Sequence, residues 1–467
     1  MMRGMRNVVL VVLLAACGDD GVRHTPDATV HDGPVTPDAP IDGAATPVTI
    51  QTTLDGQPIG GVHVYFQNAD SSVVLATVTD ASGAASAVMA PGGYVTAIDP
   101  YQPPALGRVA DEIDTFVGVK PGDHLHLAQR VSSTAINFTV TVQADPAATS
   151  YGAFTPCGST SLTSAGSGAA PTGTIALYNC GADTDFLVVT YDQAGAPLDF
   201  FFVPSVAVAD QQPLDLTAQT YAAVSTRTYS WTNPGTVSGF SFADTLRTGG
   251  GSILTFNGYN NVDATSGSYP VPAFTGAADL MVTTVNETRD QQYFVDWGPY
   301  SPAYTTDVGA RMLVPLESSP AFDPATHTFS FTEGTTGVAP DFVYASVNAF
   351  RSADARSWTW RIASPQATSI VYPQLPTDVY DFNITAADQP GSFELAFGKV
   401  PGGYDAVRPF LLWNPSSPQP EDLMTGTTGS ATLERYALLA RGAQRKGDTM
   451  GAHAPRSTAR VLSHRVR

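Results

Sequence analysis

The chain has 467 residues, of which 43% are hydrophobic and only 14% charged, with a formal charge of −19. Its acids are 35 Asp against 7 Glu and its bases 20 Arg against 3 Lys, beside 42 Gly and 36 Pro; the good helix formers are scarce and the turn formers abundant, which excludes a helical bundle and points to an all-β chain of several domains. Residues 17–440 hold 14 basic against 41 acidic residues, a field that repels phosphate backbones and excludes nucleic acid as a partner.

In chain order the first element is an address. Arg3 and Arg6 precede an apolar run, Val8 to Leu14, that is too short to span a bilayer. It ends in Leu14-Ala15-Ala16-Cys17, which resembles a bacterial lipobox. The resemblance implies cleavage after residue 16, acylation of the Cys17 sulfur and amine, and the lipid bilayer as a partner through that cysteine. Two or three acyl chains, at roughly 0.8 kcal/mol per buried methylene, make a durable anchor. Gly18 rather than an aspartate follows, and the enterobacterial sorting pattern then favours an outer membrane lipoprotein of the cell envelope, facing the periplasm or the surface. Residues 17–46 are rich in Pro and Asp without apolar periodicity, and read as a disordered, self-repelling tether.

Residues 47–130 contain short alternating apolar runs separated by Asp-Gly, Gly-Gly, Asp-Ala-Ser-Gly and Pro-Gly-Gly turns. Gly56 to Pro58, Gly61-Val62, Thr79-Asp80-Ala81-Ser82-Gly83 and Pro91-Gly92-Gly93-Tyr94 resemble the carboxypeptidase-regulatory-like, or transthyretin-like, β-sandwich. That resemblance implies a fold and a structural or binding accessory role. Residues 115–127, TFVGVKPGDHLHL, are expected to supply a closing hairpin.

A second β-domain is expected over 131–221, with strands at 135–142, 174–179, 186–191 and 200–203 and a Ser/Gly/Thr-rich loop at 158–173. With Cys17 assigned to the anchor, Cys157 and Cys180 remain as a disulfide pair, closing a loop of about 24 residues for roughly 3 kcal/mol. Residues 222–440 continue the alternation, at 328–331, 342–347, 358–362, 369–372 and 393–397, as one or two further sandwiches. Residues 430–446 fit a helix face or a final strand equally. The stretch 441–467, with seven Lys/Arg and one acid, is a basic disordered tail.

No catalytic motif is present: there is no Gly-x-Ser-x-Gly, no His-Glu-x-x-His, and Gly249-Gly250-Gly251 lacks the Lys-Ser/Thr of a phosphate loop. His124 and His126 share one face of a strand, which suits either a zinc pair or a half-exposed face with Leu125 and Leu127 inward. Trp358, Trp360 and Ile362 share a face as a core stripe, or else offer a stacking platform. Residues 352–360 resemble the Asp-box turn of sialidases, but Arg356 stands where that turn has glycine. The Gly/Pro-broken segment 291–307 reads as a loop whose Tyr293, Trp297, Tyr300 and Tyr304 either bind a glycan or protein ligand or anchor the loop to the sandwich.

The reading is thus an all-β chain of tandem Ig-like or transthyretin-like sandwiches after a disordered tether. It implies no metal, no cofactor and a non-catalytic binding, adhesion or structural role. The alternative is a secreted-type hydrolase of polysaccharide or peptidoglycan using Asp/Glu in 222–440.

Overall fold

The computed structural model describes residues 46–54, 57–99, 110–129, 135–166, 168–178, 183–235, 237, 239–248, 253–256, 265–286, 291–318, 320–412 and 423–439. Cys17 with its signal segment, the tether up to residue 45, Cys180 and the tail from residue 440 lie outside them. Strands dominate the described residues, relieved by one four-residue helix, Tyr404–Val407, and a 3-10 turn, Arg408–Phe410. The all-β class follows directly from the turn-rich, Glu- and Lys-poor composition.

The spine is a twelve-stranded sheet. From one edge it runs Ile253–Phe256, Gly239–Arg247, Ala278–Asn286, Gln291–Pro299, Gly429–Leu439 and Gln389–Lys399. It continues through Phe342–Arg351, Arg356–Pro365, Asp111–Val119, Gly93–Asp99 and His63–Gln67 to the other edge at Val73–Val78. Neighbours pair antiparallel throughout, except at the junction of Arg356–Pro365 with Asp111–Val119, which is parallel. Strands from the N-terminal region and from the C-terminal half therefore share one hydrogen-bonded sheet.

Smaller sheets cover it as sandwich layers. Val48–Leu54, flanked by Ala84–Ala87 and by His124–Gln129, packs Val48, Ile50, Leu125 and Leu127 against Phe66, Val95 and Phe116 of the spine. The same apolar cluster runs on across the junction to Tyr344, Ala363 and Leu433. On the opposite face, Phe329 and Ile370 of a three-stranded sheet meet Trp358, Trp360 and Ile362, all but Ile370 with no exposed surface. Tyr229, Trp231 and Tyr269 cover Phe240, Phe242 and Met281 at the other end. Residues 136–216 form their own two-layer sandwich around Phe138, Ile175, Phe186 and Val188.

Local chemistry sets the turns. In the Thr79–Gly83 turn, Asp80 Oδ1 accepts the backbone N–H groups of Ser82 (2.8 Å) and Ala84 (3.0 Å). Gly83 has φ +77°, and a Cβ there would lie 2.3 Å from the Thr52 carbonyl oxygen, so only glycine fits. At Gly429 the reason is close approach: the Trp297 ring of its cross-strand partner lies 2.4 Å from where a Cβ would be.

Several expectations are corrected. The segment 291–307 is not a loop but two strands, Gln291–Pro299 in the spine and Ala303–Asp307 in a covering sheet. Asp111–Val119 and His124–Gln129 do not form a hairpin; the first joins the spine and the second pairs parallel with Val48–Leu54. The polar stretch Gly158–Leu162 is a strand on Ser150–Thr155, not a loop. Of the two alternatives left open for residues 430–446, the strand is the one found over Gly429–Leu439.

Candidate functional site

The aromatic residues singled out in the sequence do not make a surface. Trp297 is 4% exposed within the large apolar cluster, and Tyr293 packs half-buried against that cluster. Tyr300 and Tyr304 pack against the Tyr229–Trp231 cluster instead. The Tyr304 hydroxyl donates to Asp296, whose carboxylate also receives Arg311 Nη1 at 2.8 Å. His124 and His126 point away from Leu125 and Leu127, which are buried, and His126 stacks on Phe410 at 5.4 Å between ring centroids. Burial, then the neighbouring His124 charge, holds the His126 pKa below its usual value. Among the described residues no three His, Cys, Asp or Glu side chains gather as a metal site. Cys157 packs against the core beside Thr155 and Thr184; its expected partner, Cys180, is outside the described residues.

Sequence reasoning missed where the charges go. Arg227 continues the inward stripe of Tyr229 and Trp231, and is 1% exposed. Its Nη1 donates to Asp244 Oδ2 (2.6 Å) and its Nη2 to Asp279 Oδ1 (2.7 Å), while the Tyr269 hydroxyl donates to the same Asp244 oxygen (2.7 Å). The guanidinium also lies 4.5 Å from the centre of the Tyr300 ring. Asp244 has no exposed surface and its Oδ1 reaches no hydrogen-bond donor among the described residues. Burial therefore outweighs the pull of Arg227 and pushes its carboxyl up to about 6. Asp279 is raised as well, again by burial.

The same arrangement recurs at the parallel junction. Arg361 sets Nε 2.6 Å from Asp114 Oδ1 and Nη2 2.8 Å from Asp114 Oδ2, and reaches Glu112 at 3.2 Å. Burial pushes Asp114 up to about 6 against the attraction of Arg361. Each network holds one guanidinium and two carboxylates, so one surplus negative charge is buried and the deeper acid keeps its proton longer.

Other bonds tie the two strands further. Arg356 grips Asp111 with Nε (2.6 Å) and Nη2 (3.1 Å), and the Trp360 indole N–H donates to Thr115 Oγ1 at 2.9 Å. The Tyr404 hydroxyl sits 2.9 Å from the Val117 carbonyl and 2.8 Å from that of Ala363, one on each strand.

The turn at 352–355, in the segment whose sequence resembles an Asp-box, is sealed similarly. Arg351 binds Asp388 through Nε (2.7 Å) and Nη2 (2.8 Å), and Arg356 lies 3.9 Å from the centre of the Tyr380 ring. The Tyr380 hydroxyl donates to Asp354. Chemically, these groups fasten strands; Asp244 has no exposed surface and Asp114 is 1% exposed.

No protein-family model matches the sequence and no curated protein matches it. Among solved structures, the Bacillus anthracis TIE protein is 12% identical over 56% of this chain and 50% of its own, with a TM-score of 0.15. The chain thus spans half the length of that protein. BcpA, the major pilin subunit of Bacillus cereus, is 8% identical over 53% of this chain and 89% of its own, with a TM-score of 0.14. A Bacteroides ovatus protein described as an adhesin is 8% identical over 47% and 96%, with a TM-score of 0.13. Superpositions this partial assign no family.

Proposed function

We propose that the chain is a cell-envelope lipoprotein, acylated at Cys17, that works by non-catalytic binding, adhesion or structural support through its outer surfaces. The observation that carries the non-catalytic half is the fate of the displaced carboxylates. A hydrolase of the expected kind needs two acids open to substrate. Among the described residues of 222–440 the carboxyls with raised pKa values are Asp244, Asp279 and Glu333; Arg227 spans the first two inside the core, and Glu333 accepts from Gln366 Nε2. The envelope half rests on the lipobox resemblance, and the accessory role agrees with the transthyretin-like resemblance of residues 47–130.

The test is incubation of the mature chain with purified cell-wall polymers. Retention on a polymer without release of reducing ends is the expected result. Release of reducing ends that disappears in Asp244→Asn would replace this reading with the hydrolase.

A further inference from the structure

The spine ends at Val73–Val78, which pairs antiparallel with His63–Gln67 on one side and, among the described residues, with no strand on the other. At the end of that pairing the Thr79 N–H donates to the Val62 carbonyl (2.9 Å), and the Thr79 carbonyl accepts from the Gly61 N–H (2.8 Å). Alternation along the strand then turns the N–H and C=O groups of Val78 and Ala76 outward, away from His63–Gln67. The side chains are bare as well. Val73 (45% exposed), Val74, Leu75 and Val78 (47%) all reach solvent, Leu75 on the Phe66 face of the sheet and Val78 on the His63 face. The strand, VVLATV, holds none of the lysines, prolines or charges that blunt a sheet edge, and it is open to an added strand.

Charge selects the occupant. Residues 46–99 contain four Asp and one His, with no Glu, Lys or Arg. Asp70 and Asp80 stand in the turns at the two ends of the strand, both exposed. Each Oδ1 accepts the hydroxyl and the backbone N–H of a serine in its own turn, Ser72 or Ser82. Those bonds hold both carboxyls below their usual pKa, so both are ionised at neutral pH. One strand in from the edge, the Tyr65 hydroxyl donates to Asp378 (2.6 Å), a third exposed carboxylate. A second copy of this edge brings aspartates and no fixed cation, so like charges meet at both ends. An extended apolar segment with a cation at each end fits instead. Its backbone continues the ladder, its side chains cover the bare valines, and its ends meet Asp70 and Asp80 in either strand direction.

We infer that Val73–Val78 binds a partner protein by strand addition, taking an extended apolar segment flanked by Lys or Arg. The inference rests on the non-catalytic binding reading, and gives it one surface and one class of partner.

The probe is a synthetic peptide, Arg-Thr-Val-Thr-Val-Thr-Val-Arg, blocked at both ends and added to the mature chain. Its eight residues extend over about 27 Å, enough for the six-residue strand and one residue more at each end. Fluorescence anisotropy of the labelled peptide reads affinity, and hydrogen exchange by mass spectrometry reads where it sits. Saturating peptide should slow exchange of Val73–Val78 at least ~10-fold and leave Phe342–Arg351, in the middle of the spine, unchanged. Ala76→Pro removes an outward N–H and no bond to His63–Gln67, so it should fold, checked by Phe342–Arg351 exchange, and weaken binding at least ~10-fold. Asp70→Asn/Asp80→Asn keeps both turn acceptors and should weaken binding about 5-fold at low salt, and less as salt is raised.

No binding, or binding that Ala76→Pro leaves unchanged, overturns the inference, as does equal affinity for the peptide with Glu in place of both Arg. Slow Val73–Val78 exchange before peptide is added overturns it too. If that slowing grows with protein concentration the edge belongs to a second copy, and if it does not the chain covers its own edge. Retention on cell-wall polymers is read on the same preparations. Retention without peptide binding removes this inference alone; loss of both removes the binding reading with it.

Discussion

Replacing Asp114 and Asp244 by asparagine should remove a pH dependence that runs opposite to ordinary acid denaturation. Both carboxyls are pushed from 3.8 to about 6 in the folded chain, chiefly by burial. A raised acid binds its proton more tightly when folded, so its contribution to stability is complete below the unfolded value and is lost as pH rises through about 6. The full shift of about 2 units corresponds to about 3 kcal/mol per group. Between pH 7.5 and pH 5 each group should therefore add about 1 kcal/mol, or 2–3 kcal/mol together. Asp279 and Glu333, also raised by burial, act in the same sense. His126 and His327 act against it, because burial lowers their pKa values and acid charges them first in the unfolded chain. The assay is urea unfolding of wild type and Asp114→Asn/Asp244→Asn at pH 7.5, 6 and 5. The stability difference between the two should shift by 2–3 kcal/mol in favour of the wild type as pH falls. A difference independent of pH refutes the reasoning, whatever its absolute size.

Three further outcomes follow from the packing. Arg227→Met strands Asp244 and Asp279 in the core and should cost about 3–5 kcal/mol, read as a lowered urea midpoint at pH 7.5 and a smaller loss at pH 5. Gly429→Ala drives a methyl group into the Trp297 ring and should cost about 1–3 kcal/mol in thermal unfolding, with a changed tryptophan emission. Cys157 and Cys180 should resist alkylation until reduced, and reduction should remove about 3 kcal/mol; two free thiols in the native chain would refute the pairing.

The strands that were legible in the sequence are those whose apolar residues alternate with polar ones, whether or not the second face is wet. Val48–Leu54 alternates buried and half-buried residues, and Ile136–Val142 and Trp358–Ile362 carry period-two stripes that read correctly. Gln291–Pro299 misled because it is covered on both faces, so its apolar residues do not alternate and its Gly298-Pro299 end mimics a loop. Gly158–Leu162 carries a single apolar residue and is a strand only because Ser150–Thr155 pairs with it. The parallel junction joins Thr115 to Trp360, a separation of 245 residues that no local pattern encodes. The buried charge does have a sequence signal: Arg227 occupies the inward position of the Arg227-Tyr229-Trp231 stripe, where a charge must find a buried partner.

The anchor is the premise on which the proposed role stands, and fractionation of cells making the full chain or Cys17→Ala tests it most directly. The wild type should sediment with membranes, with two or three fatty acyl chains on an N-terminal peptide that begins at Cys17, while Cys17→Ala should be soluble. A wild type that is soluble and unacylated, or a Cys17→Ala chain that stays with the membrane, would contradict the account.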